Sequence, residues 1–312
     1  MKFTTIGKTQ EQISQIGLGT WQFGTKGWGF GTDFDKKAAI SIVHKALELG
    51  VNLIDTAEVY GGGKSEIIIG EALKGYERED LVIVSKFLPV TIRPSAVKRS
   101  LGKSLKRLNT DYLDIYLIHW PNPFLPLGRT LKYMEEMVDE GLIRHIGISN
   151  FGLNRFRKAQ NKMISHRIEV NQLNYSMTKS NVKRKFLPYA QENRITVMAY
   201  SPLAQGFLTG KYNAENSPKG IRRANRIFRK KNFERAEPLF TLLNSISEEH
   251  GVTMAQVAIN WLIQDKPVVA IPGAKNLQQL KSNVQAGNFQ LTTKNLDQLT
   301  SVINDFAPRI IF

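Results

Sequence analysis

The stretch Leu53-Ile-Asp-Thr-Ala-Glu-Val-Tyr-Gly61 joins the end of an apolar run to the start of a glycine-rich loop. Leu53 and Ile54 close the run, which predicts a short buried strand with Asp55 at its C-terminal end. Tyr60 stands directly before three consecutive glycines and belongs to the loop that follows this strand. The stretch therefore predicts a carboxylate and a phenol above one strand end.

Two later apolar runs also end in a polar side chain, namely Lys86 and His119. The C-terminal ends of parallel strands lie at one face of a sheet or barrel, so these groups are expected to meet Asp55 and Tyr60 there. Each alone has an ordinary structural interpretation: a loop cap for Asp55, a solvated lysine for Lys86 and a packed core histidine for His119. Their occurrence on successive strand ends favours a catalytic site.

Eight short apolar runs alternate with stretches of helical spacing, and this alternation predicts an α/β fold of the (β/α)8 barrel type. The runs are almost continuously apolar, as buried parallel strands require. A doubly wound open sheet would alternate too, but the glycines after Ile16 do not fit its G-x-G-x-x-G turn. We expect a single domain over residues 1–312, because barrels of this length fold as one unit.

Several elements are predicted outside or at the edges of this repeat. Residues around Gly7 suggest an N-terminal β-hairpin, and residues 236–250 suggest a helix outside the regular pattern. Among helix starts, Asp35 predicts an N-cap, Thr253 with Gln256 a capping box, and Thr293 the cap of a final helix to Phe306. Other predicted helices include residues 131–140 and 185–192.

Composition limits the classes of protein that remain. Hydrophobic residues make up 42% of the 312 residues, and cysteine is absent, which excludes disulfides and thiolate chemistry and suits a reducing, cytoplasmic setting. No signal peptide, no apolar run near the ~20 residues of a membrane span and no metal site are predicted. The net charge of +16 is read mainly as a solubility feature rather than as a sign of an anionic partner.

In their order and setting, the four polar residues at the strand ends resemble the catalytic tetrad of the aldo-keto reductases. The resemblance extends over nearly the whole chain, from Ile16 to Asn283. It implies a single NADP(H)-dependent barrel that reduces an aldehyde or ketone to an alcohol, with the N-terminal hairpin closing the barrel bottom. Because no amino acid supplies hydride, a nicotinamide or flavin cofactor is required in any case.

The resemblance also implies a role for each of the four residues. Tyr60 would be the general acid, Lys86 its tuner, Asp55 the anchor of Lys86, and His119 a hydrogen-bond donor to the substrate oxygen. An ammonium ~4 Å from a phenol, in an effective dielectric of ~20, favours the phenolate by about 4 kcal/mol. We therefore expect Lys86 to lower the pKa of Tyr60, an effect that Asp55 partly offsets.

The nicotinamide end of the cofactor is implied to lie on the later strand ends. Ser149, Asn150 and Gln172 would hold the carboxamide, and Tyr200 would stack on the ring. The segment that follows resembles the family's pyrophosphate loop, in which glycines let backbone N–H groups approach phosphate and a lysine adds charge. Its candidate residues are Ser201, Pro202, Leu203, Gln205, Gly206, Leu208, Gly210 and Lys211.

A basic segment over residues 219–235 follows, and most of its charges are interpreted as those of a solvated mobile loop. Arg226 is the candidate for a lid over the cofactor.

The loop and helix start after the last strand resemble the family's 2′-phosphate site. A helix N-terminus offers free N–H groups, and Lys275 adds a full charge, so NADP(H) is expected in preference to NAD(H). The segment also departs from the family, because many members carry arginine at position 279 and glutamate at position 282. The candidate residues are Gly273, Ala274, Lys275, Gln279 and Asn283.

The substrate side is defined least by the sequence. Trp21, Trp28 and Trp120 are the candidates for an apolar carbonyl pocket, and aromatic or medium-chain aldehydes are plausible substrates. The alternative function is a redox-sensing or regulatory subunit that binds the cofactor with little turnover. A nucleic-acid-binding role for the basic segment has no supporting motif, and neither nucleic acid nor membrane is expected as a partner.

Overall fold

The computed structural model describes residues 1–90 and 93–305. Within that part of the chain, an eight-stranded parallel sheet pairs each strand with its neighbours in sequence. Parallel bridges between Ile16 and Ala270 and between Gly19 and Gly273 join the first barrel strand to the last, which confirms the predicted barrel. The hairpin strands are β1 (Phe3–Thr5) and β2 (Gln12–Ser14), and the barrel strands are β3 (Leu18–Gly19), β4 (Leu53–Asp55), β5 (Val82–Phe87), β6 (Leu113–Ile118), β7 (Ile143–Ser149), β8 (Ile168–Asn174), β9 (Thr196–Tyr200) and β10 (Val268–Ile271).

The antiparallel hairpin of β1 and β2 covers one end of the barrel. Ile6 and Ile13 are fully buried in the same cluster as the side chains of the barrel interior. The backbone N–H of Gly7 donates to the hydroxyl of Thr196, the first residue of β9, at 2.8 Å. The hairpin therefore plugs the N-terminal end of the strands and leaves the opposite end free for a site.

Alternation along the strands decides which side chains point into the barrel. On β5, Val82 and Val84 belong to the interior cluster, whereas Ile83 and Phe87 pack between the sheet and the helices. Lys86 is therefore the last interior position of β5. The same alternation builds a polar layer at the C-terminal ends of the other strands, from Asp55 on β4, His119 after β6, Ser149 on β7, Gln172 on β8 and Tyr200 on β9.

The helices surround the barrel, and some of them differ clearly from the predicted bounds. The helix expected from residue 131 begins at Leu127, and the one expected over 185–192 is divided into two short helices. In the part of the chain that the structure describes, no helix is long and apolar enough to span a membrane. The helices are α1 (Lys36–Glu48), α2 (Lys64–Ala72), α3 (Ala96–Leu108), α4 (Leu127–Asp139), α5 (Leu153–Gln160), α6 (Asn181–Lys185), α7 (Leu187–Asn193), α8 (Lys230–His250), α9 (Met254–Ile263), α10 (Leu277–Gln285) and α11 (Thr293–Asp305).

Helix α8 begins at Lys230 rather than at Ala236, so it takes up the end of the basic segment. Lys230, Lys231 and Arg235 therefore lie on a helix and not in a mobile loop. Phe233, which lies between them, is buried and packs 4.8 Å from Phe207 in ring-centroid distance, which explains why the helix extends this far.

Two of the three predicted helix caps are confirmed. The Asp35 carboxylate accepts a hydrogen bond from the N–H of Ala38 at 2.8 Å, and Thr253 and Gln256 form the reciprocal capping box. Each cap satisfies a backbone donor that the first helical turn leaves without an intrahelical partner.

The predicted cap of the final helix was wrong by one residue. Thr292, not Thr293, accepts from the backbone N–H of Asn295 at 3.1 Å, and Thr293 is the first helical residue. The two threonines are adjacent, so the sequence pattern alone does not distinguish them. Phe306, the predicted end of this helix, lies outside the described residues.

Candidate active site

Lys86 lies at the C-terminal end of β5, and no part of it is exposed. Its Nζ donates to Asp55 Oδ2 at 2.8 Å, to the carbonyl oxygen of Thr56 at 2.6 Å and to the Tyr60 hydroxyl at 3.1 Å. An ammonium group has three N–H donors, and all three are used. The structure thus brings together three of the four predicted catalytic residues, and it excludes a solvated lysine at this position.

Asp55 is held from two sides. While Oδ2 accepts from Lys86, Oδ1 accepts from the side-chain amide of Gln172 at 2.6 Å. These contacts replace the loop-cap interpretation, because the carboxylate binds two interior side chains. Gln172, predicted only as a carboxamide contact, therefore also fixes the position of Asp55.

The loop that carries Tyr60 depends on its glycines. Gly61, Gly62 and Gly63 have φ angles of 58°, 67° and 90°, a left-handed run that other residues adopt only with strain. A Cβ on Gly61 would lie 2.7 Å from the backbone of Gly24. The glycine run therefore lets the Tyr60 loop close tightly against the loop after β3, which brings the phenol over the strand ends.

Burial dominates the electrostatics of these three groups. Desolvation raises the pKa of Asp55 and lowers the pKa of Lys86, and the attraction between the two charges opposes both changes. Desolvation also raises the pKa of Tyr60 well above 10, and the charge of Asp55 adds to the rise. The expected net fall in the pKa of Tyr60 was therefore wrong, because the Coulomb estimate omitted the cost of burying a phenolate.

His119 completes the predicted set. Its ring centroid lies 5.9 Å from that of Tyr60, and its Nδ1 is buried with no hydrogen-bond partner among the residues described. Desolvation, aided by the positive charge of Lys86, lowers the pKa of His119 to about 3. The imidazole is therefore neutral at physiological pH and keeps one N–H donor.

A second polar cluster adjoins the four residues. The Asn150 side-chain amide donates to the carbonyl oxygen of His119 at 3.1 Å and to the Ser149 hydroxyl at 3.0 Å. The Tyr200 hydroxyl donates to Asn150 Oδ1 at 2.9 Å, and the Ser149 hydroxyl donates to the carbonyl oxygen of Gln172 at 3.0 Å. The four residues predicted to hold the nicotinamide end are thus joined in one network beside His119.

A sequence model of the aldo/keto reductase family matches residues 15–304, which include all of these positions. The chain belongs to the aldo/keto reductase family. Its activity is therefore that of an oxidoreductase that reduces a carbonyl group to an alcohol with hydride from a nicotinamide cofactor. No observation favours the alternative of a regulatory subunit.

Individual relatives support this assignment over the full length of the chain. An uncharacterized oxidoreductase of Mycobacterium tuberculosis is 44% identical over 298 residues, which cover 95% of this chain and 91% of the relative. The NADH-specific methylglyoxal reductase of Escherichia coli is 31% identical, with 94% of this chain and 95% of the relative covered. A Klebsiella pneumoniae aldo-keto reductase, solved in complex with NADPH, is 29% identical with a TM-score of 0.79 and full coverage of both chains.

The predicted pyrophosphate loop of this reductase begins directly after β9 with an unusual backbone. Ser201, Ala204, Gln205 and Gly206 have φ angles of 53°, 48°, 61° and 100°. Left-handed residues among right-handed ones turn successive backbone N–H groups toward one side and create an anion-binding concavity. This backbone is of a kind that binds anions, and the binding of the pyrophosphate here stays a prediction.

Some residues of this loop contribute only through the backbone. The side chain of Leu208 is fully buried in the outer core, and that of Pro202 is buried as well. Gly210 has a φ of 73° and ends the short helical segment before the exposed Lys211. The basic side chain is thus the one charged group that this loop presents.

Part of the basic segment is anchored by buried apolar residues, although most of its basic side chains are exposed. Arg226 opens a short 3-10 helix whose next two residues, Ile227 and Phe228, are buried. The Asn225 side-chain amide donates to Gln205 Oε1 at 3.0 Å, which ties this segment to the predicted pyrophosphate loop. The apolar residues of this stretch are therefore anchored in the core, whereas Arg226 itself is exposed, as expected for a solvated charge.

The predicted 2′-phosphate segment is organised by three amides. The Asn276 side chain accepts from the N–H of Gln279 at 2.9 Å and caps α10. Gln279 Oε1 accepts from the N–H of Lys275 at 2.9 Å, and the Asn283 amide donates to the carbonyl oxygen of Gly273 at 3.3 Å. Gln279 and Asn283, predicted as adenine-side contacts, therefore also fix the loop that carries Lys275. Ala274 is buried, and its carbonyl oxygen accepts from Gln22 at 2.9 Å.

The three predicted tryptophans lie beside the four predicted catalytic residues. Trp21 stacks on Tyr60 with ring centroids 6.2 Å apart, and Trp28 lies 5.3 Å from Trp21. Trp120 stacks on His119 with ring centroids 6.0 Å apart. Trp21 and Trp120 remain 44% and 47% exposed, so their faces are available to a ligand.

Two further aromatic residues near this face belong to the core instead. Phe23 and Phe87 are almost completely buried, whereas Phe124 is largely exposed. The sequence did not separate these cases, because all of them lie next to loops at the same barrel face.

The sequence analysis did not identify Glu66, a buried acid on α2. Its carboxylate accepts from the Ser85 hydroxyl and from Arg107 Nε, both at 2.6 Å. Its negative charge also favours the charged form of the neighbouring Lys86. Because Arg107 lies 41 residues away in sequence, no local pattern signals this contact.

Proposed function

We propose that residues 1–312 act as one NADP(H)-dependent carbonyl reductase unit in which Tyr60 is the general acid. The observation that carries this proposal is the wholly buried ammonium of Lys86, which contacts both Asp55 and the Tyr60 hydroxyl. Bound reduced nicotinamide supplies the hydride that no side chain can give. The residues of the chain supply the proton, the orientation of the carbonyl group and the binding of the cofactor.

The raised pKa of Tyr60 supports its role as the proton donor. A phenol with a pKa above 10 keeps its proton at neutral pH, so the group is ready to donate. As the proton leaves, the developing phenolate lies 3.1 Å from the Lys86 ammonium, which stabilises it. Asp55 holds the ammonium in that position.

His119 is proposed to orient the carbonyl group. Its neutral imidazole can donate one hydrogen bond to the substrate oxygen. With a pKa of about 3, it does not carry the proton that Tyr60 transfers. The bond from Asn150 to the His119 carbonyl oxygen fixes the backbone of this residue.

For the cofactor, we propose that Ser149, Asn150 and Gln172 hold the nicotinamide carboxamide and that Tyr200 packs against the ring. Amide and hydroxyl side chains offer both donors and acceptors, as a carboxamide requires. The loop after β9, together with Lys211 and Arg226, would hold the pyrophosphate.

We further propose that NADP(H) is preferred over NAD(H), with Lys275 as the main contact of the 2′-phosphate. The relatives include both an NADH-specific enzyme and a complex with NADPH, so the preference must depend on this chain's own residues. The N-terminus of α10 and the charge of Lys275 favour a phosphate. Gln279 lacks the bidentate grip of arginine, so the preference is expected to be modest.

The proposed substrates are aromatic or medium-chain aldehydes, bound between Trp21, Trp28 and Trp120. The rings of Trp21 against Tyr60 and of Trp120 against His119 would provide apolar contacts for such a carbonyl compound. A cytoplasmic location is proposed because the chain contains no cysteine.

The deciding experiment is a screen for NADPH oxidation over aldehydes, ketones and sugars, run beside the Tyr60→Phe variant. We expect wild-type turnover of several aldehydes and almost none by the variant. Tight NADPH binding without turnover of any carbonyl compound would instead indicate the regulatory subunit.

A further inference from the structure

Lys275, the proposed 2′-phosphate contact, already has an anionic partner within the chain. Its Nζ lies 2.8 Å from Asp33 Oδ2, and the two groups form an ion pair and a hydrogen bond. Asp33 lies in the loop between β3 and α1, which faces the C-terminal ends of the strands. The lysine side chain is 19% exposed and that of Asp33 is 59% exposed, so the pair lies at the surface on the side of the carboxylate.

The loop around Asp33 is built to hold the carboxylate in place. Gly29 turns the chain with a φ of 88°, and the N–H of Asp33 donates to the Gly29 carbonyl oxygen at 2.7 Å. A Cβ on Gly29 would collide with the Asp33 carboxylate, so only glycine permits this arrangement. The backbone position of Asp33 is therefore fixed by its own loop and does not depend on Lys275 alone.

Asp33 also faces a second cation, from the basic segment. The guanidinium of Arg222 lies 5.4 Å from the ring centroid of Trp28, in the same loop as Asp33, and donates to the Tyr212 hydroxyl at 3.0 Å. Lys275, through its hydrogen bond and then its charge, lowers the pKa of Asp33, and Arg222 adds a smaller effect. An ionised carboxylate thus contacts one cation, Lys275, and lies within electrostatic range of a second, Arg222, in a region where an external anion would be attracted.

We propose that Asp33 determines cofactor selectivity, because its carboxylate competes with the 2′-phosphate of NADP(H) for Lys275. NAD(H) carries a hydroxyl group in place of that phosphate and leaves the ion pair intact. The inference rests on the proposed function, since it takes Lys275 as the phosphate contact. It predicts that the preference for NADP(H) over NAD(H) is weaker than it would be if Lys275 were not paired with Asp33.

The test measures binding rather than turnover. NADPH and NADH are titrated into wild type and Asp33→Asn, and binding is followed by quenching of tryptophan fluorescence. An exposed ion pair is a weak competitor, so we expect NADPH affinity to rise about two- to fivefold and NADH affinity to stay unchanged. The salt dependence of NADPH binding should become steeper, because Lys275 now carries an uncompensated charge.

Two controls separate this effect from a general change in charge. Glu140→Gln removes a carboxylate from another exposed pair, in which Glu140 lies 2.6 Å from Lys98, and should change neither affinity. Lys275→Met should abolish the effect of Asp33→Asn, because the competing pair is then absent. Asp33→Glu, which keeps the charge, should bind NADPH more like wild type than Asp33→Asn does.

The contrary results are equally specific. An unchanged NADPH affinity in Asp33→Asn, or an equal change for both cofactors, overturns the selectivity role while leaving carbonyl reduction by the wild type unaffected. A loss of NADPH affinity shows that the loop around Asp33 helps to hold the cofactor, and it also overturns competition. A wild type that binds neither dinucleotide overturns the proposed function and this inference together.

Discussion

Two lysine–carboxylate pairs of this reductase have the same separation of 2.8 Å and differ in almost everything else. The pair of Lys86 and Asp55 lies at the C-terminal ends of β5 and β4, on the floor of the active site, where the side chains are 0% and 4% exposed. The pair of Lys275 and Asp33 lies between two loops, where they are 19% and 59% exposed. Since the effective dielectric falls with burial, equal distances correspond to very different energies.

The difference indicates what each pair can do. The floor pair stands on strand residues and has additional partners in Gln172, Thr56 and Tyr60, so it is suited to fix atoms for chemistry. The loop pair joins two irregular segments and is open to water, so an anionic ligand can displace it. Variants that break one pair or the other therefore distinguish the positioning of catalytic groups from the adjustment of cofactor affinity.

The largest effect, on kcat, is expected when Tyr60 loses the hydroxyl group that Lys86 contacts. Tyr60→Phe removes the proton donor with little change in shape, so kcat for carbonyl reduction should fall by about 10²–10⁴-fold. Binding of NADPH, followed by fluorescence quenching, should be retained. A variant with near wild-type kcat would show that another group supplies the proton.

The next effect concerns stability, and it compares the two lysines directly. Lys86→Met leaves Asp55 buried without its counter-charge, which should lower the free energy of unfolding by about 3–5 kcal/mol. Lys275→Met breaks a pair of equal length but should cost less than about 1 kcal/mol. Urea denaturation of the two variants at neutral pH measures both values.

A double variant sharpens this prediction. Asp55→Asn combined with Lys86→Met removes both charges, so it should be more stable than Lys86→Met alone, because no uncompensated charge remains buried. Equal losses for Lys86→Met and Lys275→Met would mean that burial does not set the energy of these pairs.

The floor was predictable from the sequence because strand geometry is regular. Apolar runs marked the strands, and their C-terminal ends placed Asp55, Lys86 and Gln172 at one face of the barrel. The pairing within that layer, such as the bond from Gln172 to Asp55, was not predictable in this way. The direction of the pKa change of Tyr60 was predicted wrongly, since the depth of burial is a property of the whole fold.

The loops were less predictable for a physical reason. Asp33 lies 242 positions from Lys275 in the chain, and their contact depends on the conformations of two irregular segments. The same holds for Glu66 and Arg107, which meet across two helices. The start of α8 was misplaced because its first turns are basic, and the burial of Phe233 outweighs that pattern.

A smaller effect, on cofactor binding, is expected when Lys275 is removed from its pair with Asp33. Lys275→Ala should weaken NADPH binding by about 1.5 kcal/mol, roughly tenfold, because one charge-assisted phosphate contact is lost. The lower end of the usual range is expected, because Asp33 already offsets part of the lysine charge. NADH binding should hardly change, and added salt should reduce the difference. Equal losses for both cofactors, or a wild type that prefers NADH, would contradict the proposed preference.

The smallest effect concerns His119, which is buried beside Lys86, and the pH dependence of the free energy of unfolding. His119 has a pKa of about 3 in the folded protein and an ordinary value of 6.5 when unfolded. As pH falls below 6.5, the unfolded chain binds a proton that the folded protein does not, so stability is lost until the pH reaches about 3. Between pH 7.5 and 5.5 this difference amounts to about 1.4 kcal/mol.

His119→Gln removes the titration. Urea denaturation at both pH values should therefore show a loss in the free energy of unfolding that is larger by about this amount for wild type than for the variant. Other titrating groups are common to both proteins and cancel in the comparison. Equal losses would show that the folded protein accepts the proton at His119, and that the imidazole can itself act as an acid in the site.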